Sequence, residues 1–308
     1  MAKIASARNN NQLWLEQKER SNLFTLRIII AITHYLGRPI GRLLLHPICC
    51  YFLLFSPKAK KASKKFLTRA LNRPVKFKDI YRHYHCFAAC LLDRIALLHN
   101  EVERFHLKVQ GLDQFHACLN QGRGCLLLGS HLGSFEVLRC LAKHHQVPVK
   151  LLMYQQNAQT MERIMLQLDP QLAQHIITIG HPRALLEVQE ALAQGYVVGI
   201  LGDRLFSSDK ATRCDFLGGK VDFPLGPALL AYLLKVPVLL FFAVYRAKEH
   251  YDIYFEHLTL AKLTHRQQRQ QLLADFTQRY ADRLADHALK APYNWFNFYD
   301  FWQQRIDP

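Results

Sequence analysis

The stretch GCLLLGSHLGSFEVLRCLAKHHQVPVKLLMY, residues 124–154, decides the fold. Residues 124–130 are a short apolar run bounded by glycine and serine, which predicts a buried strand. Residues 134–145 space their apolar side chains as a helix does. Pro148 then opens a second apolar run, 148–154, with the length of a strand. Strand, helix and strand in about thirty residues is the βαβ unit of a parallel sheet.

The alternation continues in both directions. Upstream, a helix is expected over 79–99, a strand over 105–111 and a helix over 112–121. Downstream, the reading gives a helix near 157–168, a strand at 176–180 and a helix at 183–195 with Gly195 as its C-terminal cap. A strand at 196–203, a polar loop to about 220, a helix to about 235 and a strand at 236–246 follow. Residues 251–258 can return as a hairpin, and a long helix covers about 264–290. The expected fold is α/β: a largely parallel mixed sheet flanked by helices. Such sheets bind ligands beyond the carboxyl ends of their strands, here just after 130, 154, 180 and 203.

The first 78 residues differ in kind. The chain has 308 residues and a formal charge of +16. Residues 1–78 carry 16 Lys and Arg against Glu16 and Glu19, while residues 79–308 carry 24 basic and 22 acidic side chains. The run 23–55, LFTLRIIIAITHYLGRPIGRLLLHPICCYFLLF, is apolar but is broken by Arg27, Arg38, Arg42, Pro39 and Pro47. No uninterrupted part reaches the roughly 18–20 residues of a membrane span. Lys58, Lys60, Lys61, Lys64, Lys65 and Arg69 follow directly. Apolar surface beside a polybasic stretch predicts a helical segment lying on an anionic membrane surface. A buried helical hairpin with a solvated basic face is the alternative. Nucleic acid fits poorly, because no aromatic platforms interleave with these lysines. Two units are expected: a membrane-attachment segment, 1–78, and an α/β domain, 79–308.

The eight cysteines include no Cys-x-x-Cys pair and lie mostly in apolar runs. They predict a reducing environment without disulfides or a zinc site. His83, His85 and Cys86 do not share one helix face, so no metal site is expected there.

Three places carry polar chemistry. His131 leaves the strand 124–130, and Glu136 lies five residues on. A histidine there suits a general base toward a hydroxyl, with a carboxylate to orient the ring. Sixteen histidines and 24 acids make about one such spacing expected by chance, so its position at a strand end gives it weight. Gly129-Ser130-His131-Leu132-Gly133 mimics a nucleophile elbow, but histidine stands where serine should be. Asp203 and Arg204 end the strand 196–203. They are costly to bury unless paired or functional, and Arg204 could hold a phosphate or pantetheine-type group. The loop 216–227, with Lys220, Pro224 and Gly226, opens into a helix N-terminus that suits an anion or an oxyanion.

Taken in order, these pieces resemble the late acyltransferases of lipid A biosynthesis, within the lysophospholipid acyltransferase superfamily. The resemblance spans nearly the whole chain. It rests on Trp14, Glu19-Arg20, Leu36-Gly37-Arg38, Tyr51-Phe52-Leu53-Leu54, His131 with Glu136, Gly202-Asp203-Arg204, Phe223-Pro224-Leu225-Gly226 and the tail Pro292-Tyr293-Asn294-Trp295-Phe296-Asn297-Phe298-Tyr299. It implies transfer of a fatty acyl group from an acyl carrier protein or acyl-CoA thioester to a hydroxyl of a membrane glycolipid. His131 would be the general base and Glu136 its partner. Ser130, Gly133, Asp203, Arg204, Lys220, Pro224 and Gly226 would line the substrate site. No metal or other cofactor is implied, since the thioester is already activated. The implied place is the cytoplasmic face of the bacterial inner membrane, held peripherally or monotopically. The stretch Leu-Gly-Ser-Phe-Glu after His131 is also similar to acyltransferases of specialised pathways, which adds aryl polyene lipids and aminolipids as acceptors. Hydrolysis of an acyl ester or thioester by the same base is a further reading.

Overall fold

A computed structural model describes residues 37–98, 101–154, 174–206, 210–261 and 268–303. The expected helix at 157–168 and the apolar run before residue 37 lie outside these. The described elements are α1 (Arg38–Phe55), α2 (Pro57–Leu71), α3 (Phe77–Leu98), β1 (His106–Gln110), α4 (Leu112–Leu119), β2 (Cys125–Gly129) and α5 (Val137–His144). They continue with β3 (Val149–Tyr154), β4 (Ile176–Ile179), α6 (Ala184–Ala193), β5 (Val197–Leu201), β6 (Ala211–Phe216), β7 (Gly219–Pro224), α7 (Gly226–Leu234), β8 (Val238–Ala247), β9 (His250–His257) and α8 (Arg269–Lys290).

Seven strands form one sheet in the order β1-β9-β8-β2-β5-β3-β4. Every pairing is parallel except the β8–β9 hairpin. β2 lies near the centre with all five residues buried, as its unbroken apolar run requires. Helices cover both faces. Val137, Leu138 and Leu141 of α5 join Cys86, Ala89 and Cys90 of α3 and Phe115 of α4 on one side. Val188 of α6, Ala228 of α7 and Phe276, Tyr280 and Leu284 of α8 pack on the other. Burying one such side chain stabilises the fold by about 1.5–3 kcal/mol, so the two layers dominate its stability.

The segment 210–224 differs from its expected loop. β6 and β7 pair as an antiparallel hairpin closed by Leu217 and Gly218, both at positive φ. Its inward residues are Cys214, Phe216, Val221 and Phe223, which alternate with polar ones. That period of two is a strand signal, masked by the Gly218-Gly219 pair and the charged outward residues.

α1 turns one apolar stripe inward, with Leu45, Cys49 and Leu53 buried. A second stripe faces out: Ile40, Leu43, Tyr51, Leu54 and Phe55 are exposed. Pro57 begins α2 after a bend of 98°. No single described helix is long and apolar enough to cross a membrane, and α1 with α2 passes that test only as this bent pair. Cys49, Leu53, Phe66 and Leu67 share the apolar core beneath the sheet.

Candidate active site

Sheet register builds the site. Gly129 of β2 is opposite Leu201 of β5, so the chains leave the sheet side by side. Two residues further on, His131 and Asp203 meet. The His131 ring donates from Nδ1 to Asp203 Oδ1 at 2.7 Å, and its backbone N–H donates to Oδ2 at 3.0 Å. Trp295 Nε1 donates to the same Oδ2 at 3.0 Å. Asp203 is fully buried; burial raises its pKa, but His131, through its charge and its two hydrogen bonds, and the positive charge of Arg204 outweigh this and hold it down to about 2. Because an ionised carboxylate only accepts, Nδ1 carries the proton and Nε2 presents a lone pair. Nε2 has no hydrogen-bond partner among the described residues, and the side chain is 26% exposed.

Burial, with the positive charges of Arg204 and Arg94, lowers the His131 pKa below its ordinary value despite Asp203. The ring is therefore neutral near pH 7, as a base must be before it acts.

Glu136 is not the carboxylate on the ring. Arg94 of α3 holds it at 2.5 Å, and the Ser134 hydroxyl donates to it at 3.4 Å. The local spacing pointed to Glu136. The neighbouring strand supplies Asp203 instead, because β2 and β5 are adjacent while the turn at 133–136 carries Glu136 toward α3.

Gly133 sits at φ +73°, and a Cβ there would lie 1.7 Å from the Ala243 carbonyl oxygen. Only glycine permits this approach of the turn to β8. Its N–H donates to the Asn294 carbonyl, and the Ser134 N–H donates to the Ala243 carbonyl. Ser130 is buried beside the Tyr280 hydroxyl, which donates to the Gly129 carbonyl.

Arg204 donates from Nη2 to the Phe296 carbonyl and from Nε to Asn297 Oδ1, both at 3.2 Å. Its guanidinium also lies over the Tyr299 ring. Lys220 is exposed near the β6–β7 turn and pairs with Asp215. Pro224 ends β7 opposite Ala211, and Gly226 opens α7. No contact described for these three reaches His131 or Asp203. Among the described residues no three His, Cys, Asp or Glu side chains could together hold a metal ion.

A model of the bacterial lipid A biosynthesis acyltransferases matches residues 28–304. The chain belongs to that family. It is an acyltransferase of lipid A type, and the resemblance drawn from its sequence holds over nearly its full length. No curated protein matches it. Members of this acyltransferase family are generally membrane-associated. The tail residues 294–297 are the part of the site that residue chemistry alone had not singled out. Its signal was the dense aromatic run 293–302 after a long amphipathic helix.

Proposed function

We propose that this acyltransferase moves a fatty acyl chain from an acyl carrier protein thioester to a hydroxyl of a membrane glycolipid of lipid A type, with His131 as general base. The observation that carries the reading is His131, with Nδ1 fixed by buried Asp203 and Nε2 left open, in a chain of this family. Nε2 takes the proton of the acceptor hydroxyl as its oxygen attacks the thioester carbonyl. The C–O bond forms and the C–S bond breaks. The imidazolium, stabilised by Asp203, returns its proton to the departing thiolate. Burial, with the positive potential of Arg204 and Arg94, keeps the resting ring neutral, and that potential favours the anionic tetrahedral intermediate. In this scheme Glu136 holds Arg94 in place. The thioester supplies the activated carbonyl, so the reaction uses no metal and no enzyme nucleophile.

The outward apolar stripe of α1 and the exposed Lys58, Lys61 and Lys64 of α2 support attachment to an anionic membrane surface at the cytoplasmic face. Acyl carrier proteins are acidic, so the same basic surface suits docking of the donor.

The test incubates wild-type and His131→Ala proteins with acyl carrier protein thioester and a lipid A precursor, and analyses products by mass spectrometry. Acylated acceptor from wild type, lost by about 10²–10⁴-fold in the variant, is expected. Free fatty acid without acylated acceptor turns the reading to a hydrolase. Full activity of His131→Ala removes the base.

A further inference from the structure

Trp295 does more than fill space. It is fully buried, and its ring is caged edge-on by Phe66 at 4.9 Å, Phe216 at 5.1 Å and Phe301 at 4.8 Å between centroids. The cage fixes the ring plane and aims Nε1–H at Asp203 Oδ2. With the His131 backbone N–H on the same oxygen, both Oδ2 lone pairs are used, and Oδ1 is left turned toward the imidazole. Without the indole, Oδ2 keeps one donor in a dry interior and the carboxylate is free to rotate.

The main chain around Trp295 is stitched to the segment that bears His131. Trp295 bridges Leu132, the Phe296 N–H donates to the His131 carbonyl, and the Gly133 N–H donates to the Asn294 carbonyl. Asn294 also pairs through its amide with the backbone of Tyr245 at the end of β8.

Behind Trp295 stands buried His83. A carbonyl only accepts, so His83 Nε2 carries the proton and donates to the Trp295 carbonyl at 2.9 Å. Nδ1 then accepts from the Ser63 hydroxyl at 2.8 Å. Burial lowers the His83 pKa to about 4, so this tautomer persists across the working pH range. Ser63 lies on α2, one turn from Phe66 of the cage. The same helix grips the tail twice more, through Lys65 with Asp300 and through Arg69 over the Trp302 ring.

We infer that Trp295 is the residue that positions the Asp203 carboxylate against His131, and that the buried Ser63–His83 pair fastens this indole to helix α2. The inference rests on the reading of His131 as base. It makes the basic helix α2 part of the support of the catalytic pair.

The test uses three variants of the full chain, with acyl transfer measured as above. Trp295→Phe keeps an aromatic ring and loses the N–H. Replacement of Trp295 by 3-benzothienylalanine keeps size and burial and loses only the N–H. Both are expected to lower kcat by about tenfold, with KM for donor and acceptor within about twofold. The acid limb of the kcat–pH profile should move to higher pH, because a carboxylate with fewer donors stabilises the imidazolium more. Ser63→Ala, which frees the His83 tautomer, is expected to cost about threefold in kcat, as loss of one neutral hydrogen bond does. A benzothienyl protein with wild-type kcat and an unmoved acid limb overturns the positioning role. So does a loss that follows only the unfolded fraction. Wild-type kcat in Ser63→Ala removes the link to α2. His131→Ala is run in parallel: if it stays active, the reading of His131 itself has failed, whereas its inactivity beside an unaffected benzothienyl protein refutes only the role of Trp295.

Discussion

Asp203→Asn is the sharpest perturbation of the proposed mechanism. Asp203 accepts three N–H groups, and asparagine offers one acceptor oxygen. Two of the donors, from the His131 backbone and the Trp295 indole, point at Oδ2. The amide oxygen takes that place, so the NH2 group faces His131 Nδ1. Two N–H groups cannot face one another, and the ring proton moves to Nε2. The atom that must accept the hydroxyl proton then becomes a donor. A general base contributes about 10²–10⁴-fold, and amide replacement of an orienting carboxylate in a serine protease triad costs about 10⁴-fold. A fall in kcat of about 10³–10⁴-fold is expected here, or about 4–5.5 kcal/mol of transition-state stabilisation. Substrate contacts do not change, so KM should stay within about threefold. Initial rates of acylated acceptor, read by mass spectrometry beside thermal unfolding of the same protein, check this. A folded Asp203→Asn protein within tenfold of wild-type kcat would refute the argument.

Three further outcomes follow from the same geometry. The His131 pKa is lowered, mainly by burial, and on the proposed reading the neutral ring is the active form, so kcat/KM should fall toward acid with a midpoint below the ordinary histidine value; an acid midpoint at or above that value contradicts this. Glu136→Gln leaves Arg94 without its charge partner and should cost about 1–3 kcal/mol in urea unfolding, with partial recovery in the Arg94→Met/Glu136→Gln double variant; additive losses would show that the pair is not coupled. Reversing Lys58, Lys61 and Lys64 to Glu should weaken binding to anionic vesicles at low salt by at least about 10²-fold, since each lysine near such a surface contributes about 1 kcal/mol; unchanged partition in sedimentation would place the membrane contact elsewhere.

The alternation of strands and helices was legible because each strand carries its signal locally. The apolar run at 125–129, the glycine-bounded helix before Gly195 and the hairpin from 238 to 257 all follow from nearest-neighbour chemistry. His131 and Asp203 were also legible as polar residues at strand ends, with Glu136 read as the partner of the histidine and Asp203 as part of the substrate site. Their pairing was not. His131 and Asp203 are far apart in sequence, and their contact depends on β2 and β5 being neighbours in register, a property of the sheet. Glu136 was the available local choice, and its true partner, Arg94, comes from a helix that precedes the sheet. The hairpin at 211–224 was missed for a related reason. Glycines at 218 and 219, and charged residues alternating with the apolar ones, make its strands read as loop.

The position of Trp295 along the chain has a consequence for biosynthesis. His131 leaves the ribosome long before residue 295 does, and about 160 residues at 5–20 per second take on the order of 10–30 s. During that interval β5 and β8, the two strands that flank β2, are made, but the indole proposed to orient the carboxylate has not been. On the proposed reading, full alignment of the His131–Asp203 pair therefore waits until the tail has folded back over the turn.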